Sequence, residues 1–299
     1  MQPIYMSIKD LIKMLRPHQY LKNLFIFLPL FFGLKITDTT LLLKAFLAFI
    51  SFSLIASAVY IFNDLNDIKE DRAHPKKKDR PIASGKISKL TASVTILALL
   101  CASILPLLYI DHNVASLLLL YVILNVSYTI KLRHVAIMDV SIIAIGFVIR
   151  IFVGSVSTGI PISMWIVLVT FLLALFLALA KRRDDVVYYL ATGNKIRKSI
   201  DGYNLEILNS LMVMMSTVTV VSYIMYTISP EVISYFHTNK IYFTVFFVIL
   251  GIMRYMQISL LENKSGSPTE MLMKDSFIQF CLAGWMLTFV VLIYFNPHF

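Results

Sequence analysis

Charge is scarce in this chain, and cysteine is scarcer. Only 15% of the 299 residues are Asp, Glu, Lys or Arg, while 58% are hydrophobic. A soluble domain is nearer a quarter charged, so this composition excludes an ordinary water-soluble fold and suits a chain built for lipid. Two cysteines, Cys101 and Cys281, both in apolar stretches, exclude a disulfide framework and a cysteine-based zinc set. The six histidines are scattered without metal-ligand spacing. There is no fixed short repeat, no low-complexity segment, and no Ser/His/Asp or Cys/His arrangement suited to nucleophilic catalysis. Residues 1–23 lack the uninterrupted apolar centre of a cleaved signal peptide and carry Lys9, Lys13, Arg16 and Lys22.

What is present is a succession of long apolar runs. They predict an all-α, polytopic membrane protein of about nine transmembrane helices, at roughly 17–35, 41–62, 88–110, 114–130, 136–157, 161–180, 207–229, 238–255 and 276–295, since crossing a ~30 Å hydrocarbon core takes about 20 residues. The first run is the weakest. Its unbroken apolar part is only Leu24 to Leu34, with Pro29 inside, and it crosses only if the helix begins near Arg16 or Pro17. Ahead of it, Ile4, Ile8, Leu11, Ile12 and Leu15 share one helical face, which predicts a short helix on the membrane surface. The whole of 1–299 reads as a single integral membrane domain.

The net charge of +10 would suit a nucleic-acid binder, but its distribution points elsewhere. With the N-terminus placed in the cytoplasm, that side holds 22 of the 27 Lys and Arg and the other side only Lys35, Lys44 and Lys240. This is the positive-inside bias; it puts the C-terminus on the opposite side and argues against a nucleic-acid partner. The chemistry then belongs to the cytoplasmic side of a cell membrane, with lipids as the surroundings.

The stretch from Asn63 to Gly85 departs from the rest, with five acids and six bases in 23 residues. On a continuous helix, Asp64, Asp67 and Asp71 fall within an arc of about 60° over two turns. Carboxylates so close repel one another, and a divalent cation relieves the repulsion. Hard oxygen donors without His or Cys suit Mg²⁺, with Asn63 as a further oxygen ligand. The bases that follow, Arg72, Lys76, Lys77, Lys78 and Arg80, suit a polyanion such as diphosphate. The plainer alternative is a solvated loop with internal ion pairs.

Two intramembrane groups stand out. Arg150 lies deep in the fifth predicted helix, where a charge faces a cavity or a partner by default. Asp139, on nearly the same face, is about 16 Å away along the axis, too far to pair directly. Both readings stay open for Arg150, a cavity lining or a structural pair with another helix. Lys22, with Asn23, either snorkels to the interface or meets phosphate.

The pattern Asn63-Asp64-x-x-Asp67-x-x-x-Asp71-Arg72-x-His74-Pro75, continuing to Arg80-Pro81-Ile82-Ala83-Ser84-Gly85, resembles the first signature of the UbiA superfamily of intramembrane prenyltransferases. The likeness covers essentially the whole chain and includes Tyr128-x-x-Lys131-x-Arg133. Within the superfamily it is most similar to the decaprenyl-phosphate phosphoribosyltransferase branch, through Arg16-Pro17-x-Gln19-Tyr20-x-Lys22-Asn23, through Asp139, Gly146, Arg150 and Gly154, and through Lys181-Arg182-Arg183-Asp184-Asp185. Arg183 stands where that branch has tyrosine and Asp185 where it has glutamate. The prenylating branches carry a second acidic pair; Lys181 replaces its first member here.

The resemblance implies a Mg²⁺-dependent glycosyltransferase of cell-envelope synthesis, moving a 5-phosphoribosyl group from 5-phosphoribosyl diphosphate to a polyprenyl phosphate. Asp64, Asp67 and Asp71, with Asn63, would hold the metal, and Arg72, His74, Lys77 and Arg80 the diphosphate. Lys131, Arg133, Lys181 and Arg182 would draw the lipid phosphate, and Lys22, Asn23, Tyr128, Asp139, Arg150 and Asp185 complete the expected substrate contacts. The alternative is prenyl transfer from a prenyl diphosphate to an aromatic or other small acceptor. Oligomeric state, a homo-oligomer included, is left open.

Overall fold

The computed structural model describes residues 7–73, 77–193, 198–262 and 268–294. Every regular element among them is helical. The chain divides into two compact units, one of Met1–Arg133 with Ile145–Ile162 and the other of His134–Ala144 with Ser163–Phe299.

The first unit opens with α1 (Ile8–Leu15), capped by the Ser7 hydroxyl. Its predicted apolar face is divided. Leu11, Met14 and Leu15 pack against Ile61, Ile82 and Ile87, whereas Ile8 and Ile12 stay exposed. The helix therefore docks on the loop that follows the aspartates, and Lys13 donates to the Asp79 carbonyl at 2.9 Å. Arg16 then turns the chain with a positive φ of 53°.

The weak first run resolves into a 3₁₀ stretch, Pro17–Phe27, followed by α2 (Leu28–Phe32). It lies antiparallel to α3 (Thr39–Asn66), with Arg16 bonded to Asp64, Tyr20 to Ser57 and Asn23 to Ser53. From 16 to 23 the segment matches α3 from 64 to 53, about 16 Å of α-helix. Seven residues cover about 14 Å at the 3₁₀ rise of 2.0 Å but only about 10 Å at the α-helical rise. The stretched geometry thus lets 16 residues reach about 30 Å, the thickness for which an α-helix needs 20. Eight longer helices among the described residues are apolar enough to cross a membrane, close to the nine expected; this segment, where the first crossing was expected, is not among them.

Helix α3 is capped by Asp38 and runs 28 residues, about 42 Å, so it overshoots a ~30 Å core. It buries a seam of small residues, Ala45, Ala48, Ser51, Ala56 and Ser57 among them, which lets neighbours approach closely. After α4 (Ile68–Ala73) come α5 (Lys89–Leu107), α6 (Asn113–Ile130) and α7 (Met138–Thr158), of which Ile145–Thr158 belongs to this unit. Phe52, Tyr121, Ile149 and Val153 fill the core, while Leu90, Leu97, Ile104 and Leu105 of α5 are exposed, as a lipid-facing helix requires.

The second unit holds the start of α7, then α8 (Met164–Thr192), α9 (Leu205–Ile228), α10 (Pro230–Phe236), α11 (Val245–Gln257), α12 (Pro268–Lys274) and α13 (Ser276–Tyr294). Its core gathers Phe176, Leu179, Leu208, Met212, Tyr255 and Ile258. The sixth predicted helix was expected to end at residue 180. It continues to Thr192, closed by Gly193 with φ 70°, so Lys181–Asp185 is helical and not loop. Lysine and arginine are good helix formers, and a helix that leaves the lipid has no reason to stop there.

At Gly154 a Cβ would lie 2.0 Å from the Ile26 carbonyl oxygen, a contact with backbone that cannot give way. Gly154→Ala is expected to cost about 1–3 kcal/mol by forcing α7 off the 3₁₀ stretch. Thermal unfolding in detergent checks this: the midpoint should fall, whereas Gly251→Ala, whose nearest neighbour would be at 3.6 Å, should leave it unchanged or slightly raised.

Candidate active site

The helix carrying the aspartates is interrupted. α3 ends at Asn66, Asp67 leaves helical geometry with ψ 14°, and α4 restarts at Ile68. Backbone bonds from Asp67 to Asn63 and from Asp71 to Asp67 bridge the break, so the acids stay together. Asp64 and Asp71 are almost fully buried, and Asp67 nearly so.

Each carboxylate is held by arginine. Arg80 Nη1 donates to Asp71 at 2.7 Å and to Asp64 at 3.0 Å. Arg16 pairs with the same Asp64 oxygen, and its guanidinium lies 5.3 Å from the centre of the Tyr60 ring. Arg133 reaches back across 66 residues to Asp67 at 2.6 Å. Burial by itself would lower the Arg133 pKa, but the bond to Asp67 and that carboxylate's charge outweigh it and raise it. Removing one member of such a partly buried pair strands the other and loosens the cluster.

Asp64 and Asp71 thus face one common point, occupied by an Arg80 nitrogen, while Asp67 turns to Arg133. Among the described residues no three acids, histidines or cysteines form a ready-made metal cage. Two converging hard carboxylates nevertheless fit Mg²⁺, which takes one or two carboxylates and completes its shell with water and substrate phosphate. Asn63 is half-buried beside them and accepts a long 3.4 Å bond from Thr129.

The other expected contacts separate into groups. Arg72 is exposed and donates to the Ala83 carbonyl at 2.8 Å, which ties α4 to the turn before Gly85. Lys77 and Tyr128 are half-buried and Lys131 is exposed; His74 lies outside the described residues. Asn23 uses both ends of its amide, donating to Ser53 and accepting from Arg150. Arg150 also donates to the Gly146 carbonyl at 2.7 Å and lies over the rings of Phe52, Tyr121 and Phe147. Its partners are neutral acceptors and aromatic faces, not the acid that a structural ion pair requires. Lys22 is half-buried and has no carboxylate partner among the described residues.

In the second unit Arg182 Nε donates to Asp139 and Nη1 to Asp185 at 2.8 Å. The Asp139–Arg182 pair is sealed, with side-chain exposures of 0% and 1%; the arginines on the first-unit aspartates keep 14–23%. Tyr203 completes the second-unit network, donating to Asp139 at 2.7 Å and accepting from the Ile137 amide at 2.6 Å. Burial pushes its phenol well above the ordinary value, and Asp139 adds to the shift, so it stays a neutral donor. Lys181 is half-buried. Arg183, the departure from the expected tyrosine, donates to Asn209 and to the Ser259 and Leu260 carbonyls. Those carbonyls belong to a π-helical turn, Ile258–Glu262, so Arg183 braces that turn.

Sequence reasoning assigned no site role to Arg16 or Tyr203. The Arg16-Pro17 pair was a readable signal, because proline opens a helix and leaves the preceding residue extended or turned. Nothing local marks Tyr203.

The UbiA prenyltransferase family model matches residues 24–283. A decaprenyl-phosphate phosphoribosyltransferase of Mycolicibacterium smegmatis is 32% identical, over 97% of this chain and 94% of that protein. One from Corynebacterium glutamicum is 31% identical, over 97% and 88%. A solved UbiA homologue from Archaeoglobus fulgidus, bound to DMAPP and Mg²⁺, superposes with a TM-score of 0.72 over 95% of this chain and 98% of that one; at 20% identity it is a likeness of fold. With the family signature spanning both units and the acids of its first motif gathered at the end of α3, the chain belongs to the UbiA prenyltransferase family and is an intramembrane transferase.

Proposed function

We propose that this enzyme transfers a 5-phosphoribosyl group from 5-phosphoribosyl diphosphate to a polyprenyl phosphate, with release of diphosphate, at the cytoplasmic face of the cell membrane. The orientation rests on the 22 bases of that side against three on the other. The observation that carries the choice of reaction is the contrast between the two sets of acids. Asp64, Asp67 and Asp71 are bound to arginines that retain some exposure, so they can change partners. Where the prenylating branches carry the second acidic pair, Lys181 stands in place of the first acid and Asp185 is held by Arg182 at 2.8 Å, which leaves no second pair for a metal of the kind that helps a prenyl diphosphate ionise. The curated relatives over nearly the full length point the same way.

In this reading Asp64 and Asp71, joined by Asp67 and Asn63, hold Mg²⁺, which when bound neutralises the diphosphate and makes it a better leaving group. Arg72, Lys77 and Arg80 balance the remaining charge. The bond between the anomeric carbon and the diphosphate oxygen breaks with its electron pair leaving on diphosphate. An oxygen of the lipid phosphate forms the new bond to that carbon. With a second pKa near ~6 the lipid phosphate is already ionised at neutral pH, so no general base is needed. Lys131 and Lys181, with Lys22, would draw it in. Arg150, Asn23, Asp139, Arg182 and Asp185 act by holding the scaffold, and the rate enhancement comes from positioning and charge stabilisation.

Two outcomes are expected. Offered both substrate pairs, the purified protein should turn over 5-phosphoribosyl diphosphate with polyprenyl phosphate, and a chelator should abolish it; turnover only with a prenyl diphosphate and an aromatic acid rejects the proposal. Asp64→Asn and Asp71→Asn should each lower kcat at least about 100-fold, read as diphosphate release, with the protein still eluting as a folded species.

A further inference from the structure

Three aspartates and three arginines make the first-unit cluster electrically neutral. Asp64 is shared by Arg16 and Arg80, Asp71 is held by Arg80, and Asp67 by Arg133. The three arginines come from separated parts of the chain: Arg16 before the 3₁₀ stretch, Arg80 from the turn after α4, and Arg133 after α6. A neutral, paired cluster has little to attract a lone divalent cation, because any metal taking the carboxylates leaves guanidiniums unpaired in a partly buried site. A diphosphate removes that obstacle. Its oxygens suit guanidinium geometry, so each arginine released from a carboxylate finds an equivalent acceptor.

We propose that Arg16, Arg80 and Arg133 are placeholder cations that hold the aspartates in position and exchange them for diphosphate oxygens on loading, so that metal and diphosphate bind tightly only together. Arg16 and Arg133 are then positioning residues that set the order of assembly. The inference rests on the metal-held diphosphate reading above but is separable from it. Neutrality explains how the acids can stay packed at the end of α3. A single Arg80 nitrogen, Nη1, joins an oxygen of Asp64 to one of Asp71.

The test uses the full-length protein and Mn²⁺ as the probe, with free Mn²⁺ followed by electron paramagnetic resonance in the presence and absence of methylenediphosphonate, a diphosphate that cannot be cleaved. In the wild type the diphosphonate should tighten Mn²⁺ binding at least tenfold. Arg133→Gln should tighten binding of Mn²⁺ alone at least fivefold and shrink the diphosphonate effect, while Arg133→Lys, which keeps the charge, should stay close to wild type. Equal wild-type affinity with and without diphosphonate overturns the exchange and leaves the metal reading standing. So does a folded Arg133→Gln variant whose affinity for Mn²⁺ alone is unchanged or weaker. If that variant does not fold, the wild-type comparison decides by itself. Absence of Mn²⁺ binding under both conditions removes the metal reading and the exchange together.

Discussion

The pairing of Asp64, Asp67 and Asp71 with arginines is the interaction on which the first unit is arranged. Packed carboxylates at the end of a membrane helix repel one another and resist burial. The guanidiniums that neutralise them come from before, just after and far after the acids. Folding that brings the acids together therefore also fixes α1, the turn before Gly85 and the chain after α6 around them. In the proposed reading chemistry and scaffold share the same residues, and a change that frees an acid also loosens a junction.

The second unit uses the same chemistry to the opposite end. Arg182 between Asp139 and Asp185, backed by Tyr203, is closed to solvent on its Asp139 side. The network joins α8 to the start of α7 and to the segment before α9. Arg183, one residue on, braces a π-helical turn. Adjacent arginines thus serve two separate elements, because consecutive positions on a helix point about 100° apart.

Much of the plan is readable from residue order. Apolar runs of about 20 residues mark the long helices, and the aspartate spacing singles out the end of α3, where the three acids do gather. Partner choice is harder to read. Nothing local to Arg133 says that its acid lies 66 residues back, and nothing near Asn23 says that its amide ends in Ser53 and Arg150. The break at Asp67 was also hidden, since a helical wheel assumes continuity, and the continuation of α8 past the lipid follows from propensity that an apolar-run criterion ignores. Arg183, standing where the phosphoribosyltransferase branch has tyrosine, likewise finds its partners far along the chain, in the Ser259 and Leu260 carbonyls.

The stretched 3₁₀ crossing bears on how the protein enters its bilayer. Sixteen residues with Lys22 and Asn23 among them make a poor independent insertion signal, since polar groups at depth oppose partitioning. Ser53 and Ser57 of α3 accommodate the Asn23 amide and the Tyr20 hydroxyl. The segment and α3 thus satisfy each other's polar groups, so the two suit lipid as a hairpin better than the segment does alone.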